Sequence, residues 1–163
     1  MNQTILNKDA VTPLCDVSPI GVKFFSRTLD VTTIDRLELI NLSGQIRGFV
    51  EETQIVDGQL HAFSLHTTAG LFVNEWQDAL LADAKALFSQ LVPQTSYYKH
   101  NDPALSDCYR RNADSHLRNV IANHNVVIPI AEGRLVLGEW QSLIFAEFDG
   151  PNRRKVFVQI FGV

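Results

Sequence analysis

Three histidines carry the residue types best suited to chemistry in this sequence. His66 ends the apolar, alternating run Leu60–His66 and is followed at once by Thr67, Thr68, Ala69 and Gly70. That order places an imidazole and two hydroxyls where a rigid strand opens into a turn. A histidine there either satisfies a structural group or acts as a ligand, and Thr67 and Thr68 either stabilise the turn or bind substrate. His100 and His116 lie in or beside the polar stretch from Gln94 to Ser115, among Asn101, Asp102, Asn112 and Asp114. Three imidazoles on separate elements can build a metal site with one position open for water or substrate. Their spacings of 34 and 16 residues match no short zinc motif, so three surface histidines in a solvated loop is the competing reading. His61 and His124 lack a comparable setting.

Charged residues add candidates of both signs. Glu75 follows Asn74 just before Trp76 and a helical stripe, where a carboxylate serves either as a general base or as a partner of the helix dipole. Glu147 lies on an apolar strand, opposite in direction to Ala146 and Phe148, and must be exposed, paired or functional because an unpaired buried charge is costly. Arg153 and Arg154 follow a turn and suit bidentate binding of a phosphate, or merely decorate that turn. Arg118, two residues beyond His116, is a further anion candidate. A Gly-rich phosphate loop, a dinucleotide fingerprint, a nucleophile elbow and paired cysteine ligands are all missing, which disfavours the common nucleotidases, dehydrogenases and esterases.

The elements that must hold these groups follow from periodicity. Residues Met1 to Gly21, with Pro13 and Pro19, show no sustained period and read as a loose arm ahead of one domain over 22–163. Lys23–Val31 and Arg36–Ile40 read as strands. Asn41 or Ser43 then caps a helix with Ile46, Phe49 and Val50 as its core stripe. Leu80, Leu81, Ala84, Leu87, Phe88 and Leu91 form a 3.6-residue stripe that Pro93 limits. The long polar connection after it is functional or disordered, and a short helix over Ser115–Ala122 closes it. Asn125–Ile130 is a strand. Trp140–Phe148 and Lys155–Phe161 flank Asp149-Gly-Pro-Asn152 and predict a hairpin. Both faces of that hairpin are apolar, which requires two enclosing sheets or a second subunit.

Bulk properties narrow the class. A chain of 163 residues with 45% apolar side chains suits one domain with its own core. Its net charge of −4 argues against general nucleic-acid binding. The longest uncharged apolar-leaning run, Leu60 to Asn74, is too short for a helical membrane span, and the N-terminus lacks the apolar core of a secretory signal. Two cysteines, Cys15 and Cys108, make no disulfide framework and fit a reducing, cytoplasmic setting.

Taken in order, His66-Thr-Thr-Ala-Gly70, Asn74-Glu75, Tyr98-Lys-His-Asn101, Asn112-Ala-Asp-Ser-His-Leu117, Glu132-Gly-Arg-Leu-Val-Leu-Gly138, Trp140-Gln141 and Glu147-Phe-Asp-Gly-Pro151 resemble the YjbQ family, from about Val22 to the C-terminus. Its members are commonly described as secondary thiamine-phosphate synthases. The resemblance implies an α+β fold with an antiparallel β-sandwich-like core, two main helices and a homotrimer. It also implies that His66, His100 and His116 gather in one pocket and bind a divalent metal such as zinc, with magnesium the alternative ion. Asn74, Glu75 and Glu147 match the family's acidic and amide positions. The chain departs from the family at Glu139, where threonine is usual, and at Trp76-Gln-Asp-Ala79 and Ile121–Asn125.

Three functions follow from these readings. The first is a transferase joining a pyrimidine pyrophosphate to a thiazole phosphate, with Arg118, Arg153 or Arg154 on the phosphates. The second is a metal-dependent hydrolase or lyase, with Glu75 or Glu147 moving protons. The third is a non-enzymatic trimeric module that binds a ligand or metal.

Overall fold

Strand pairing divides the chain into two antiparallel sheets. The computed structural model describes residues 12–13 and 21–163. The strands are β1 (Thr12–Pro13), β2 (Lys23–Thr32), β3 (Glu38–Asn41), β4 (Gly58–Ser64), β5 (Ala69–Glu75), β6 (Asn125–Ala131), β7 (Arg134–Leu135), β8 (Gln141–Glu147) and β9 (Arg153–Gly162). The helices are α1 (Ser43–Thr53), α2 (Asp78–Leu91) and α3 (Ala113–Ala122), with a single 3-10 turn over Lys99–Asn101. The larger sheet runs β1-β2-β9-β4-β6-β7 and the smaller β3-β8-β5. The α+β class read from the sequence holds, with α3 as a third helix. Of the N-terminal arm, Thr12 and Pro13 pair with Ser26 and Phe25 of β2; residues 1–11 and 14–20 lie outside the described residues.

The main core fills the space between the sheets. Leu60, Ala62, Val156, Val158 and Ile160 from the larger sheet meet Leu71, Leu143 and Phe145 from the smaller, and Ile46, Phe49 and Val50 of α1 join them. All of these are almost fully buried, as the alternation of β4 and the stripe of α1 require. The smaller sheet is covered on its other face as well. There Leu39, Ile144, Ala146 and Phe148 pack with Phe88 of α2 and Ala122 of α3. The result is three layers: large sheet, small sheet, helices.

This layering corrects the hairpin expected of the last forty residues. β8 and β9 do not pair: β8 is the centre of the smaller sheet, between β3 and β5, and β9 lies between β2 and β4 in the larger. The reason lies in β8 itself, whose Leu143 and Phe145 face one core while Ile144 and Ala146 face the other. A strand that is apolar on both faces belongs in a middle layer. Residues 148–152 therefore cross between sheets, and they lean on the β2–β3 link. Thr33 donates its amide to the Asn152 carbonyl at 2.9 Å, and the Gly150 amide donates to the Arg36 carbonyl at 3.1 Å. A Cβ on Gly150 would lie 2.0 Å from the Asp35 carbonyl oxygen, so this approach admits glycine alone.

Helix ends and stripes differ in detail from expectation. Asn41 Oδ1 accepts the Ser43 amide at 2.8 Å, just ahead of α1, and Ser43 Oγ accepts the Leu143 amide at 2.9 Å. In α2 only Phe88 is buried, while Leu87 and Leu91 stand exposed. In α3 the apolar stripe Leu117, Val120 and Ile121 faces outward at 43, 80 and 51% exposure. Among the described residues no helix is long and apolar enough to cross a membrane.

Candidate functional site

The three histidines converge at one polar cleft of about 370 Å³. His66 stands one residue past Leu65, whose amide donates to the Lys155 carbonyl at 3.1 Å and prolongs the β4–β9 ladder. The next ladder bond is made by a side chain: the Lys155 amide donates to His66 Nε2 at 2.8 Å. His66 is thereby held as a neutral ring with its proton on Nδ1. His100 sits in the 3-10 turn and His116 in the first turn of α3. Asn101 Oδ1 accepts the Ala113 amide at 3.0 Å and so ties that turn to the start of the helix. The rings of His100 and His116 consequently meet edge to face, centroids 5.1 Å apart and planes at 82°.

Both flanking imidazoles are biased towards the neutral form. Burial, followed by the Arg154 charge, holds His66 below the ordinary histidine value, against the pull of Glu147. Burial and then His100 do the same to His116, opposed by Asp149, Asp114 and a hydrogen bond to the Thr67 backbone. Neutral imidazole is the form that accepts a proton or binds a metal.

Beneath the cleft lies a buried network of ion pairs. Glu147, fully buried, accepts from Arg154 through Nε at 2.5 Å and Nη2 at 2.6 Å, and from the Asp149 amide at 2.8 Å. Arg154 Nη2 also donates to Thr68 Oγ1 at 3.1 Å. Asp149 accepts from Asn112 Nδ2 at 2.7 Å and from Arg36 at 3.2 Å, and pairs with Arg110 at 3.1 Å. Asp114 pairs with Arg36 at 3.0 Å and with Arg118 at 3.4 Å. Buried charges are stable only when matched in this way.

The sequence-derived candidates sort accordingly. His66, His100, His116, Thr67, Thr68 and Arg154 line the cleft together. Glu147 resolves to a paired group locked on Arg154, and Arg154 is committed to Glu147 and Thr68 rather than open to a phosphate. Arg118 is likewise turned inward, donating to the Val92 carbonyl through Nε at 3.2 Å and Nη2 at 2.8 Å. Arg153 alternates away from Arg154 on β9 and is exposed. Asn74 and Glu75 do not line the cleft. They occupy the opposite end of β5, and six residues of strand span about 20 Å, which separates Glu75 from His66 within one chain. Glu139 is exposed and also lies outside the cleft.

Arg110, Asp149 and Cys108 line the cleft without having been singled out as site residues from the sequence. Asp149 carried a signal inside the Glu147–Pro151 motif, whereas Arg110 lay in a polar connection with no period to place it. A neighbouring apolar cleft of about 540 Å³ shares His66, Thr67 and His116 and adds Phe63, Val120 and His124.

The family resemblance implies a divalent metal among these donors. Among the described residues no group of three or more His, Cys, Asp or Glu side chains is placed to hold a metal as the side chains stand. The chemistry of the donors nevertheless suits a zinc-type ion. Two imidazoles sharing a tetrahedral zinc have centroids about 5 Å apart, the spacing of His100 and His116. His66 is not a third ligand in this tautomer, because its Nε2 accepts the Lys155 amide and its Nδ1 carries the proton. Oxygen ligands for magnesium are committed, since Asp149 is already bound to two guanidiniums.

Comparison with known proteins places the whole arrangement. The family model described as "UPF0047 protein YjbQ-like" matches residues 27–163. A UPF0047 protein of Methanothermobacter thermautotrophicus is 36% identical over 143 residues, covering 88% of this chain and 96% of that one. A UPF0047 protein of Archaeoglobus fulgidus is 37% identical over 131 residues, covering 80% and 97%. The crystal structure of a YbjQ-like protein of unknown function from Sulfolobus solfataricus superposes with a TM-score of 0.81 at 31% identity, covering 87% of this chain and 99% of that one. A hypothetical protein from Aeropyrum pernix does so with a TM-score of 0.78 at 33% identity, covering 85% and 98%. Matched in sequence over most of its length and in fold throughout those relatives, this chain belongs to the YjbQ family.

Proposed function

We propose that this chain is a homotrimeric enzyme acting on a phosphorylated small molecule through an imidazole pocket that takes one divalent ion of the zinc type. The observation that carries the reading is the convergence of His66, His100 and His116 on one polar cleft, with His66 and His116 held towards the neutral form. His100 and His116 would form the ligand pair, and the His66 Nδ1–H stands beside them as a hydrogen-bond donor to substrate. With an ion bound, the site gains a Lewis acid for phosphate oxygens. The chain's own groups do the remainder. Asn101 and Asn112 fix the positions of His100 and His116, the Glu147–Arg154–Thr68 chain keeps the floor rigid, and the Thr67 hydroxyl is available to orient substrate. The specific reaction suggested by the family resemblance is the joining of a pyrimidine pyrophosphate to a thiazole phosphate with release of pyrophosphate. The outward stripe of Leu117, Val120 and Ile121 beside His116 supports assembly into a trimer, because an exposed apolar face of that kind marks an interface.

The test pairs metal analysis with product analysis on untagged protein. The expected result is about one zinc per chain, an affinity at least about tenfold weaker in His116→Ala, and a smaller loss in His66→Ala. Pyrophosphate released only when both phosphorylated substrates and the metal are present supports the transferase. Orthophosphate released from a single substrate replaces it with a hydrolase. Metal uptake with neither product leaves a binding module, and no uptake at all overturns the metal pocket.

A further inference from the structure

The guanidiniums beneath the cleft outnumber the carboxylates that hold them. Glu147 pairs with Arg154, Asp114 with Arg36 and Arg118, and Asp149 with Arg36 and Arg110. Four guanidiniums share three carboxylates in this network, so one positive charge is left over. Three of the four are committed within it. Arg154 and Arg118 are almost fully buried and make several hydrogen bonds each, and Arg36 bridges Asp114 and Asp149. Arg110 differs. Its side chain is 46% exposed, it lines the histidine cleft beside the buried Arg154, and among the described residues its one ion pair is the 3.1 Å contact from Nη2 to Asp149 Oδ2. Asp149 does not depend on that contact, since Asn112 and Arg36 already hold both of its oxygens.

We propose that Arg110 is the anion receptor of this cleft and takes a single phosphate group of the small-molecule ligand, an assignment that rests on the phosphorylated-substrate reading above. A guanidinium presents its donors as a planar fork, and contact with Asp149 through Nη2 leaves the rest of that fork to bind phosphate oxygens. Asp149 at its back holds the fork in orientation. With a surplus of only one charge, the site suits a single phosphate group better than a longer polyanion, whose further charges would meet Asp149. The assignment replaces Arg118, Arg153 and Arg154 in that role, two being satisfied inside the protein and one facing away.

Titration of the full chain with inorganic phosphate and with pyrophosphate, in the presence of a chelator, tests this without involving a metal. The expected outcome is measurable binding of phosphate by the parent, with pyrophosphate bound no more tightly. Arg110→Gln should weaken it at least about tenfold, as loss of a charge-assisted pair requires. Arg110→Lys should fall between, keeping the charge without the fork, and Arg153→Gln should stay within about twofold of the parent. Circular dichroism and a thermal melt check that Arg110→Gln is folded; if it is not, the fall in Arg110→Lys decides. Phosphate that fails to bind the parent, binds Arg110→Gln as tightly, or is lost equally in Arg153→Gln overturns the proposal. Failure to take up zinc would leave it standing, and zinc uptake with no role for Arg110 would sink it alone.

Discussion

His66 accepts the Lys155 amide through Nε2, so a residue suited to chemistry also completes a sheet ladder. The two roles are compatible because imidazole has two nitrogens, and the ladder bond decides which one remains. The same doubling holds for Glu147. Its carboxylate is fully buried and held by Arg154 at 2.5 and 2.6 Å, with Thr33 at 3.3 Å. Arg154→Met would leave that carboxylate buried without its partner, at a cost of about 3–5 kcal/mol. Urea unfolding should show the loss, and adding Glu147→Gln to the same chain should recover part of it. A loss under about 1 kcal/mol would mean that Glu147 finds water or another partner, and that the floor of the cleft is softer than its geometry implies. At this scale the sequence narrowed Glu147 to three options, exposed, paired or functional. It could not choose among them, because the choice depends on a guanidinium seven residues away in another sheet.

Elements decide which of these residues meet. His116 reaches the cleft because α3 packs on β5, and Gly70 is a point of close approach in that packing. A Cβ there would lie 2.4 Å from the Asn123 carbonyl oxygen, 2.9 Å from Asn119 Oδ1 and 3.0 Å from Ala122 Cβ. The nearest obstacle is backbone, and the Asn123 carbonyl also accepts the Leu71 amide at 3.0 Å, so the helix end cannot give way freely. Gly70→Ala is expected to cost about 1–3 kcal/mol, seen as a lowered melting temperature, and to weaken any ligand bound by His116. Gly48→Ala is the matched control. It lies in α1 with nothing within 4 Å of an added Cβ, and should be neutral or stabilising by about 0.5–1 kcal/mol. Equal effects in the two would show that the α3–β5 contact does not set the site. Periodicity found α1 and α2 because their stripes repeat locally. It misjudged the pairing of β8 with β9, because a four-residue turn signal says nothing about which sheet each strand joins.

On the whole molecule, some of the apolar residues left outside the three layers stand where the site opens. Leu65, Leu117 and Val120 are each at least 43% exposed, Leu65 and Val120 line the apolar cleft that adjoins the histidines, and Leu117 stands beside His100 and His116. The proposed trimer buries this surface, and light scattering on the parent should give three chain masses. Val120→Asp should reduce that to one chain with an unchanged circular dichroism spectrum, since the side chain is 80% exposed in the single chain and a carboxylate there harms only an interface. A parent that runs as one chain, or a Val120→Asp variant that stays trimeric, would remove the trimer from the proposal.

The family resemblance implied the grouping of the three histidines, whereas the residues alone indicated the strands and helices with clear periods and the two-faced burial of β8. Those are properties a side chain acquires from its near neighbours, through the 2.0-residue and 3.6-residue repeats that assign it a face. Tertiary structure alone decided what stands opposite each face. It turned Arg118 and Arg154 inward, left Glu75 about 20 Å along its strand from the cleft, crossed residues 148–152 between sheets, and brought Arg110 out of a polar loop to the mouth of the site. Charges select partners by distance in space, and that distance is not encoded in any local repeat.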